Sequence, residues 1–376
     1  MTGPAVLFYV QHLLGIGHLA RASRIARAMV EGGMAVTLVT GGMPVPGFPA
    51  PGIPHVALPP IAVADGAFKG LVDRSGAAVD QAFLDARRDL LLAAFREIRP
   101  DIVMLEAFPF GRKQVRFELL PLIDAIEAAS PRPKLVSSVR DILQLRGRPD
   151  RDAETAALVR AHFSAVLVHG DPAFARLEET FPFAAEIADR VQYTGLVCGP
   201  KPVPSSERYE VIVSAGGGAV GAEMLRSALA AAALLPDIPD WLVITGPNLR
   251  QDTFDAFAAG APPNVRLERF RTDFGSLLAA AGLSVSQAGY NTVGDILLAG
   301  CRSLLVPYAT LGETEQADRA ARLEQLGRAQ VIGEGQLDPA RLAAAIRSAR
   351  AMAVPQGRPA IATNGAARTV EILRRL

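Results

Sequence analysis

Several features that would place a protein in a special class are scarce or missing in this chain of 376 residues. It has two cysteines, Cys198 and Cys301, too few for a disulfide framework or a thiolate metal site. No apolar run reaches the roughly 18 residues that a membrane-spanning helix needs. No five consecutive residues are basic, and the net charge of +1 argues against a nucleic-acid-binding surface. We therefore expect no nucleic-acid partner and no transmembrane segment.

Leader and metal-binding patterns are missing as well. The first apolar run, residues 5–10, is short and has no basic stretch before it, so we expect a strand there and not a signal peptide. This predicts a cytoplasmic protein and leaves peripheral contact with a membrane surface open. No Asp-x-Asp motif precedes an obvious metal pocket, and no His/Cys cluster has ligand spacing. We expect neither a metal nor a cofactor.

What is present is an alternation of apolar runs and amphipathic helical patterns. Uninterrupted Val, Ile and Leu are typical of strands buried on both faces of a parallel sheet. Predicted strands in the first half cover residues 5–10, 35–39, 102–105, 134–138 and 165–168. Those in the second half lie near 210–214, 241–245, 283–286, 303–306 and 329–332. The pattern predicts an α/β protein with two doubly wound, Rossmann-like domains facing a cleft.

A proline-rich segment separates the two series. Residues 195–206 include three prolines within five positions, which neither a helix nor a central strand tolerates. The predicted N-terminal domain covers residues 1–197, the linker 198–208 and the C-terminal domain 209–355. Residues 356–376 are predicted to contain a helix that packs back toward the N-terminal domain.

The loop after the first predicted strand carries the most distinctive motif, Gly-Ile-Gly-His. Gly15 and Gly17 would let backbone N–H groups approach a ligand at a helix N-terminus, with His18 and Arg21 on the first turn. The motif lacks the third glycine of the dinucleotide-binding pattern. The alternative is a tight strand-to-helix turn with a capping histidine.

A second glycine loop opens the C-terminal half. Ser214 ends a predicted strand, and three glycines then lead into a helix predicted over residues 222–234. These glycines are Gly216, Gly217 and Gly218. Backbone and hydroxyl donors at a helix start are what a diphosphate requires, although an open loop of an α/β fold can carry glycines for other reasons.

A third loop places Gly289, Asn291 and Thr292 at the start of another predicted helix, where its donors can reach a phosphate oxygen. Asp295 lies one turn further along the same face. A carboxylate there can accept both hydroxyls of a ribose. The alternative is that Asp295 only complements the helix dipole.

From about Glu268 onward the chain resembles the C-terminal half of the family 28-type glycosyltransferases, typified by the lipid II-forming N-acetylglucosaminyltransferase. The resemblance rests on the spacing from Phe-Arg-Thr-Asp at 270–273 to Ala-Gly-Tyr-Asn-Thr-Val-Gly-Asp at 288–295, and on Glu-Thr-Glu-Gln at 313–316. It covers roughly residues 210–335. The resemblance implies the GT-B fold and transfer of a sugar from a nucleoside-diphosphate sugar, here expected to be UDP-linked, to an unidentified acceptor.

The resemblance also implies roles for individual residues. Phe270 and the backbone of Arg271 would hold the nucleotide base, and Asp295 stands where the family has a ribose-binding Glu. Glu315 and Gln316 stand where an amide or acid pair binds the hydroxyls of the donor sugar. The diphosphate would lie among Gly216, Gly217, Gly218, Gly289, Asn291 and Thr292.

The N-terminal half resembles the family mainly at residues 15–21, where His18 matches a histidine near the anomeric carbon and acceptor. The same string is similar to nucleotide-sugar hydrolases of nonulosonic acid biosynthesis, in which this histidine activates water. The whole chain also resembles a class of predicted glycosyltransferases with no implied acceptor. A nucleotide-sugar hydrolase or epimerase on the same fold is therefore the alternative function.

Two residues are candidates for the base in a metal-independent, inverting displacement. His18 is the first, because an unperturbed histidine pKa of about 6.5 suits proton removal at neutral pH. Glu106 is the second, since it ends the predicted strand over residues 102–105 and would point into the cleft. The alternative for Glu106 is a loop carboxylate paired with Arg112.

The predicted acceptor-side residues are Gly15, Gly17, Arg21 and Arg112. Arg112, Lys113 and Arg116 form a basic cluster that could hold an anionic acceptor, or only a solvated helix face. Arg140 follows a predicted strand and would line the cleft or form a surface ion pair. His169 precedes Gly-Asp-Pro, which a capped turn explains.

Overall fold

The structure is a computed structural model that describes residues 3–13, 17–45, 47–63, 70–145, 147–216, 221–355, 357 and 361–376. Gly15, Gly217 and Gly218, which the sequence predicts as ligand-loop residues, lie outside this range. Contacts divide the chain into two units. The first comprises Met1–Val197 with Ala362–Leu376, and the second comprises Cys198–Ile361.

The described part of the first unit contains a sheet of seven parallel strands in the order β3-β2-β1-β6-β7-β8-β9, with β4 and β5 as a separate antiparallel pair. The strands are β1 (Ala5–Val10), β2 (Ala35–Thr40), β3 (His55–Ala57), β4 (Ala62–Val63), β5 (Leu71–Val72), β6 (Ile102–Glu106), β7 (Lys134–Arg140), β8 (Ala165–His169) and β9 (Val191–Tyr193). The helices before the unit boundary are α1 (Gly17–Glu31), α2 (Gln81–Ile98), α3 (Arg116–Glu127) and α4 (Pro149–His162). The order reverses between β1 and β6, which creates a crevice at their carboxyl ends.

The described part of the second unit contains six parallel strands in the order β12-β11-β10-β13-β14-β15. The strands are β10 (Val211–Ser214), β11 (Trp241–Ile244), β12 (Val265–Glu268), β13 (Ser284–Ser286), β14 (Ser303–Leu305) and β15 (Gln330–Val331). The helices are α5 (Ala222–Ala233), α6 (Gln251–Ala259), α7 (Phe274–Ala280), α8 (Tyr290–Ala299), α9 (Glu315–Gln325) and α10 (Pro339–Ala351). Here the order reverses between β10 and β13, so the loops after these strands flank the corresponding crevice.

The last helix, α11 (Gly365–Leu373), belongs to the first unit although the second unit separates it in sequence. Its buried Val370 and Leu373 share an apolar cluster with Ile25 and Met29 of α1. The isolated bridge between Val197 and Asn364 joins the two chain segments of this unit.

The predicted α/β class is confirmed, since both sheets are parallel and alternate with helices along the chain. Each strand predicted from an apolar run is present. The sequence did not indicate the short antiparallel pair β4 and β5, nor the strands β3, β9 and β12, which lie at the edges of the parallel sheets and are partly exposed.

Candidate active site

Glu106, the last residue of β6, is the centre of a buried polar cluster in the first unit. Its side chain has no exposed surface. His18 Nδ1 lies 3.0 Å from Glu106 Oε1, and Arg21 donates a hydrogen bond to the same oxygen. Ser138 Oγ donates to Oε2 at 2.8 Å. Both carboxylate oxygens are thus engaged, and Arg21 takes the place that the alternative interpretation of the sequence gave to Arg112.

The strand register explains why these groups meet. Glu106 lies opposite Ser138 of the adjacent strand β7, and Ser138 lies opposite Leu167 of β8. Since side chains alternate between faces, His169, two residues after Leu167, faces the same side. Helix α1 packs on this face, and its first turn therefore places His18 and Arg21 next to the carboxyl ends of the strands.

His169 continues the cluster inward. Its Nε2 lies 2.9 Å from Ser138 Oγ, and its Nδ1 lies 2.9 Å from Thr194 Oγ1. The sequence pattern at His169 is explained by a capped turn and left its role open, and no pattern indicated a role for Ser138. The strand-end argument that selected Glu106 applies equally to both residues, because each lies near the carboxyl end of a neighbouring parallel strand.

Burial and charge set the protonation states of the cluster. Burial raises the pKa of Glu106, but the Arg21 charge and the contact with His18 outweigh it and hold that pKa below its usual value. Burial, followed by the Arg112 charge, lowers the pKa of His18 to about 3. Burial and the Arg21 charge likewise lower the pKa of His169 to about 3. The cluster at neutral pH therefore contains a carboxylate and two neutral imidazoles.

A cavity of about 190 Å³ lies beside this cluster. Its described lining includes His18, Arg21, Phe110, Arg112, Arg140 and Leu143. The side chain of His18 is 22% exposed, whereas that of Glu106 is fully buried. Of the two predicted bases, only His18 lines the cavity.

The predicted basic cluster of Arg112, Lys113 and Arg116 is not held together as a unit. Arg116 forms an ion pair with Glu154 at 2.5 Å, and Lys113 is exposed. Arg112 instead lines the cavity together with Arg140. Arg112 lies beside the candidate site, and its role there stays a prediction, whereas Lys113 and Arg116 fit the alternative of a solvated helix face.

A second buried cluster lies on the opposite face and supports the loops that enter the crevice. Arg87 of α2 donates to Glu118 of α3 at 2.7 Å and 2.9 Å. It also donates to Gln11 at 2.7 Å and to the Gly41 carbonyl at 2.9 Å. Tyr9 donates to Glu118 as well. Arg87 thereby fixes the segments that follow β1 and β2, and the first of these leads toward His18.

In the second unit, buried Ser214 ends β10 and precedes the first glycine loop. Gly216 has a φ of +71°, which favours glycine. A Cβ on Gly246 would lie 2.3 Å from the Gly216 carbonyl oxygen, so the two loops approach closely. Ser214 Oγ accepts a hydrogen bond from the Gly216 N–H at 3.3 Å.

The loop after β13 has the predicted geometry of a helix start. Gly289 is the N-cap residue of α8, and Asn291 and Thr292 lie in its first turn. Asp295 is partly buried one turn further along the helix. Helix N-terminal N–H groups favour anions. The helix start is therefore present as predicted, and the diphosphate and ribose roles of these residues stay predictions.

The residues predicted to hold the nucleotide base differ in exposure. Phe270 is 59% exposed. Arg271 is held by Asp273 at 2.7 Å and by Glu207 at 3.0 Å, which raises its pKa. The side chain of Arg271 therefore forms structural ion pairs, whereas the family resemblance implies that its backbone contacts the nucleotide base.

Glu315 and Gln316, the predicted donor-sugar residues, open α9. Glu315 is buried and accepts a hydrogen bond from Arg319 at 2.8 Å. Arg319 also donates to the Ala288 carbonyl at 2.8 Å, which ties α9 to the loop after β13. Gln316 Oε1 accepts from the Tyr308 N–H at 3.1 Å. Both side chains thus have structural contacts, and their sugar-binding roles stay predictions.

Two kinds of feature are missing from the residues that the structure describes. No group of three or more His, Cys, Asp or Glu side chains is placed to hold a metal ion. No helix in the same ranges has the length and apolar character needed to cross a membrane.

The C-terminal part of the chain matches a known family. Residues 212–371 match the glycosyltransferase family 28 C-terminal domain. One curated relative is the UDP-N-acetylglucosamine–N-acetylmuramyl-(pentapeptide) pyrophosphoryl-undecaprenol N-acetylglucosamine transferase of Brucella anthropi, 34% identical over 155 residues. That match covers 40% of this chain and 40% of the relative, so the chain spans well under two thirds of the relative's length.

Solved structures match over nearly the whole chain. The calicheamicin glycosyltransferase CalG4 has a TM-score of 0.62 at 19% identity, covering 100% of this chain and 94% of that one. MurG of Acinetobacter baumannii has a TM-score of 0.59 at 15% identity, covering 99% of this chain and 100% of that one. At these identities the similarity shows the fold alone, and it confirms the predicted GT-B fold. The chain therefore has the GT-B fold, and its residues 212–371 match the glycosyltransferase family 28 C-terminal domain.

Proposed function

We propose that the protein transfers a sugar from a UDP-linked donor to a hydroxyl acceptor in a single inverting displacement. The family 28 domain supports a nucleotide-sugar donor. The observation that carries the catalytic part is the contact between partly exposed His18 and buried Glu106, at the edge of a cavity.

His18 is proposed as the general base. Because the Glu106 carboxylate lies against Nδ1, it favours the tautomer with the proton on that nitrogen and leaves the Nε2 lone pair available. As the acceptor oxygen attacks the anomeric carbon, Nε2 takes the hydroxyl proton and the bond from that carbon to the diphosphate oxygen breaks. Glu106 then stabilises the imidazolium that forms.

Glu106 is proposed as a positioning residue. Its side chain has no exposed surface, and its oxygens already accept hydrogen bonds from Arg21 and Ser138. An acceptor hydroxyl therefore cannot reach it without displacing those donors. Arg21 keeps the group ionised, since its charge opposes the effect of burial.

The leaving diphosphate is assigned to the second unit. Ser214 and Gly216 after β10, and Gly289, Asn291 and Thr292 at the start of α8, offer hydroxyl, amide and backbone donors. These dipoles can stabilise the charge that develops on the diphosphate as the bond to the sugar breaks. Asp295 is proposed to accept the ribose hydroxyls.

The test begins with thermal unfolding in the presence of nucleoside diphosphates and their sugars. A ligand that binds only the folded state raises Tm, so selective stabilisation by UDP and one UDP-sugar would support the donor assignment. Turnover of that UDP-sugar is then followed with and without candidate acceptors. Acceptor-dependent release of UDP supports transfer, whereas full turnover in water alone would indicate a hydrolase and contradict the proposal.

A further inference from the structure

The cavity beside His18 is unusually rich in positive charge. Arg21, Arg112 and Arg140 line it, and none of its described lining residues is acidic. The buried carboxylates nearby are Glu106, already engaged by Arg21, and Asp141, which does not line the cavity. Arg21 is buried, and Arg112 and Arg140 are partly buried, so this wall of the cavity presents positive charge to an anion.

Arg112 has one buried donor atom that no described residue satisfies. Its Nε is wholly buried, and no acceptor among the described residues lies within hydrogen-bond distance of that atom. Burial, with the charges of Arg140 and Arg21, lowers the pKa of Arg112 to about 10. A guanidinium held in this way is a strong site for a planar or tetrahedral anion.

The backbone around Arg112 is also specialised. Ala107 and Arg112 have φ values of +63° and +60°, in the left-handed region that residues with a Cβ rarely adopt. The loop between these positions follows β6 and includes Phe110 and Gly111, which line the cavity. Two left-handed residues in one short loop aim Arg112 inward at a cost in backbone strain.

We propose that this cavity binds an anionic group of the acceptor, a phosphate or a carboxylate, through Arg112 and Arg140. The assignment rests on the proposed function only in naming the acceptor as the source of the anion. Phe110 and Leu143 add an apolar wall, so the anion would be attached to a partly apolar group.

Binding there has a consequence for the base. The Arg112 charge contributes to the low pKa of His18, so an anion that neutralises Arg112 raises the affinity of His18 for a proton. A higher pKa brings His18 closer to the working pH, where general-base catalysis is most effective. The correct acceptor would thus strengthen the base that deprotonates it.

The experiment follows the His18 ring by NMR in protein labelled at its five histidines, during titration with inorganic phosphate or acetate at pH 7. Saturating UDP is present so that phosphate does not report on the diphosphate site. We expect a saturable shift of the His18 signal, and the tighter of the two ions identifies the anion class. Saturation should also move the protonation of His18 to higher pH.

Variants distinguish a built site from general charge. Arg112→Gln should weaken the effective ion about 10- to 100-fold, the loss of a charged hydrogen bond, and Arg112→Lys should weaken it less. Arg116→Gln, on the nearby surface pair with Glu154, is the matched control and should change nothing. Thermal unfolding of each variant checks that it folds.

Two results would overturn the inference: no saturable shift of His18 with either ion, or a shift that persists unchanged in a folded Arg112→Gln protein. Neither depends on glycosyl transfer. If the ions bind as expected but no UDP-sugar binds or turns over, the proposed function fails while the anion site stands. If a UDP-sugar binds but neither ion has an effect, the anion site fails while the donor assignment stands.

Discussion

In each unit, the strand order of the parallel sheet reverses once, and the carboxyl ends of the strands at that point form an equivalent edge. The two units carry different residues at this edge. In the first unit these residues are buried and charged, with Glu106 and Arg21 in contact beside His18. In the second unit they are small or neutral, such as Ser214 and Gly289, and they precede helices. Buried charges control protonation, whereas helix starts supply donors to an anion.

The proposed function assigns proton transfer to the edge of the first sheet and leaving-group binding to the edge of the second. This assignment leads to an expectation that substitutions can test. Substitutions at the edge of the first sheet should change the rate with little effect on UDP affinity, and those at the edge of the second should change UDP affinity. The expectations below are ordered by the size of the effect.

The largest effect is expected for His18→Ala. Removing the proposed base should lower the rate of transfer about 10²–10⁴-fold, the span typical of general-base catalysis. UDP affinity should stay close to that of the parent, because the proposed nucleotide contacts all belong to the second unit. Steady-state kinetics and calorimetric UDP titration measure the two quantities separately.

The chain supplies a matched control for that variant. His162 contacts Glu127 at 2.9 Å in the same unit, but both side chains are about a third exposed. His162→Ala should keep full activity. A parallel loss of rate and UDP affinity in His18→Ala would indicate that His18 contacts a phosphate or the sugar. Full activity in that variant would indicate that the loop before α1 is only a tight turn.

The next effect concerns Asp295→Ala. Loss of a charged hydrogen bond to ribose should weaken UDP by about 1–3 kcal/mol, or roughly 5- to 150-fold in Kd. Asp255→Ala on exposed helix α6 is the control and should bind UDP normally. Undiminished UDP affinity in Asp295→Ala would remove the ribose assignment and leave Asp295 as a helix-dipole partner.

The same contrast explains which parts of the fold could be predicted. Central strands such as β1 and β6 are buried on both faces, so their sequences are continuous apolar runs. The edge strands β3, β9 and β12 are half exposed and contain residues such as Gln192 and Arg266, so no apolar run marks them. Their pairing comes from the neighbouring strand, which local sequence does not show.

The candidate site was predictable only in part. His18 and Glu106 were selected because one lies in a glycine motif and the other ends an apolar run. Ser138 and His169 were missed because each is unremarkable in its own segment, and only the register of three strands brings them together. The alternative interpretation of Glu106 paired it with Arg112, which is near in sequence, whereas the fold brings Arg21 to it from α1.

A smaller effect is expected for Ser138→Ala. The hydroxyl donates to Glu106, so its loss weakens the support of His18 without touching substrate, and kcat should fall about three- to tenfold with KM unchanged. A carboxylate that loses a donor holds the proton of the adjacent imidazolium more strongly, so the pKa of His18 should rise, and the acidic limb of the rate profile, which His18 sets, should move to higher pH.

Ser137→Ala is the matched control for that variant. Ser137 is the adjacent residue, equally buried, and donates to the Phe108 carbonyl at 2.7 Å on the other face of the sheet. It should leave the acidic limb in place. A rate loss in Ser138→Ala that comes with a higher KM or an unmoved pH profile would make Ser138 a packing residue only.

The smallest effect is expected for chelation. The proposed diphosphate site relies on two helix starts and their loops, α5 after Gly221 and α8 after Gly289, whose N–H groups already supply positive potential. If these donors stabilise the leaving group as proposed, turnover in EDTA should equal turnover without it. The measurement compares initial rates of UDP release at matched ionic strength, since screening alone changes weak anion binding. Activity that EDTA abolishes and Mg²⁺ or Mn²⁺ restores would show that the edge of the second sheet needs a cation, and the contrast between the units would then rest on metal binding as well as on helix ends.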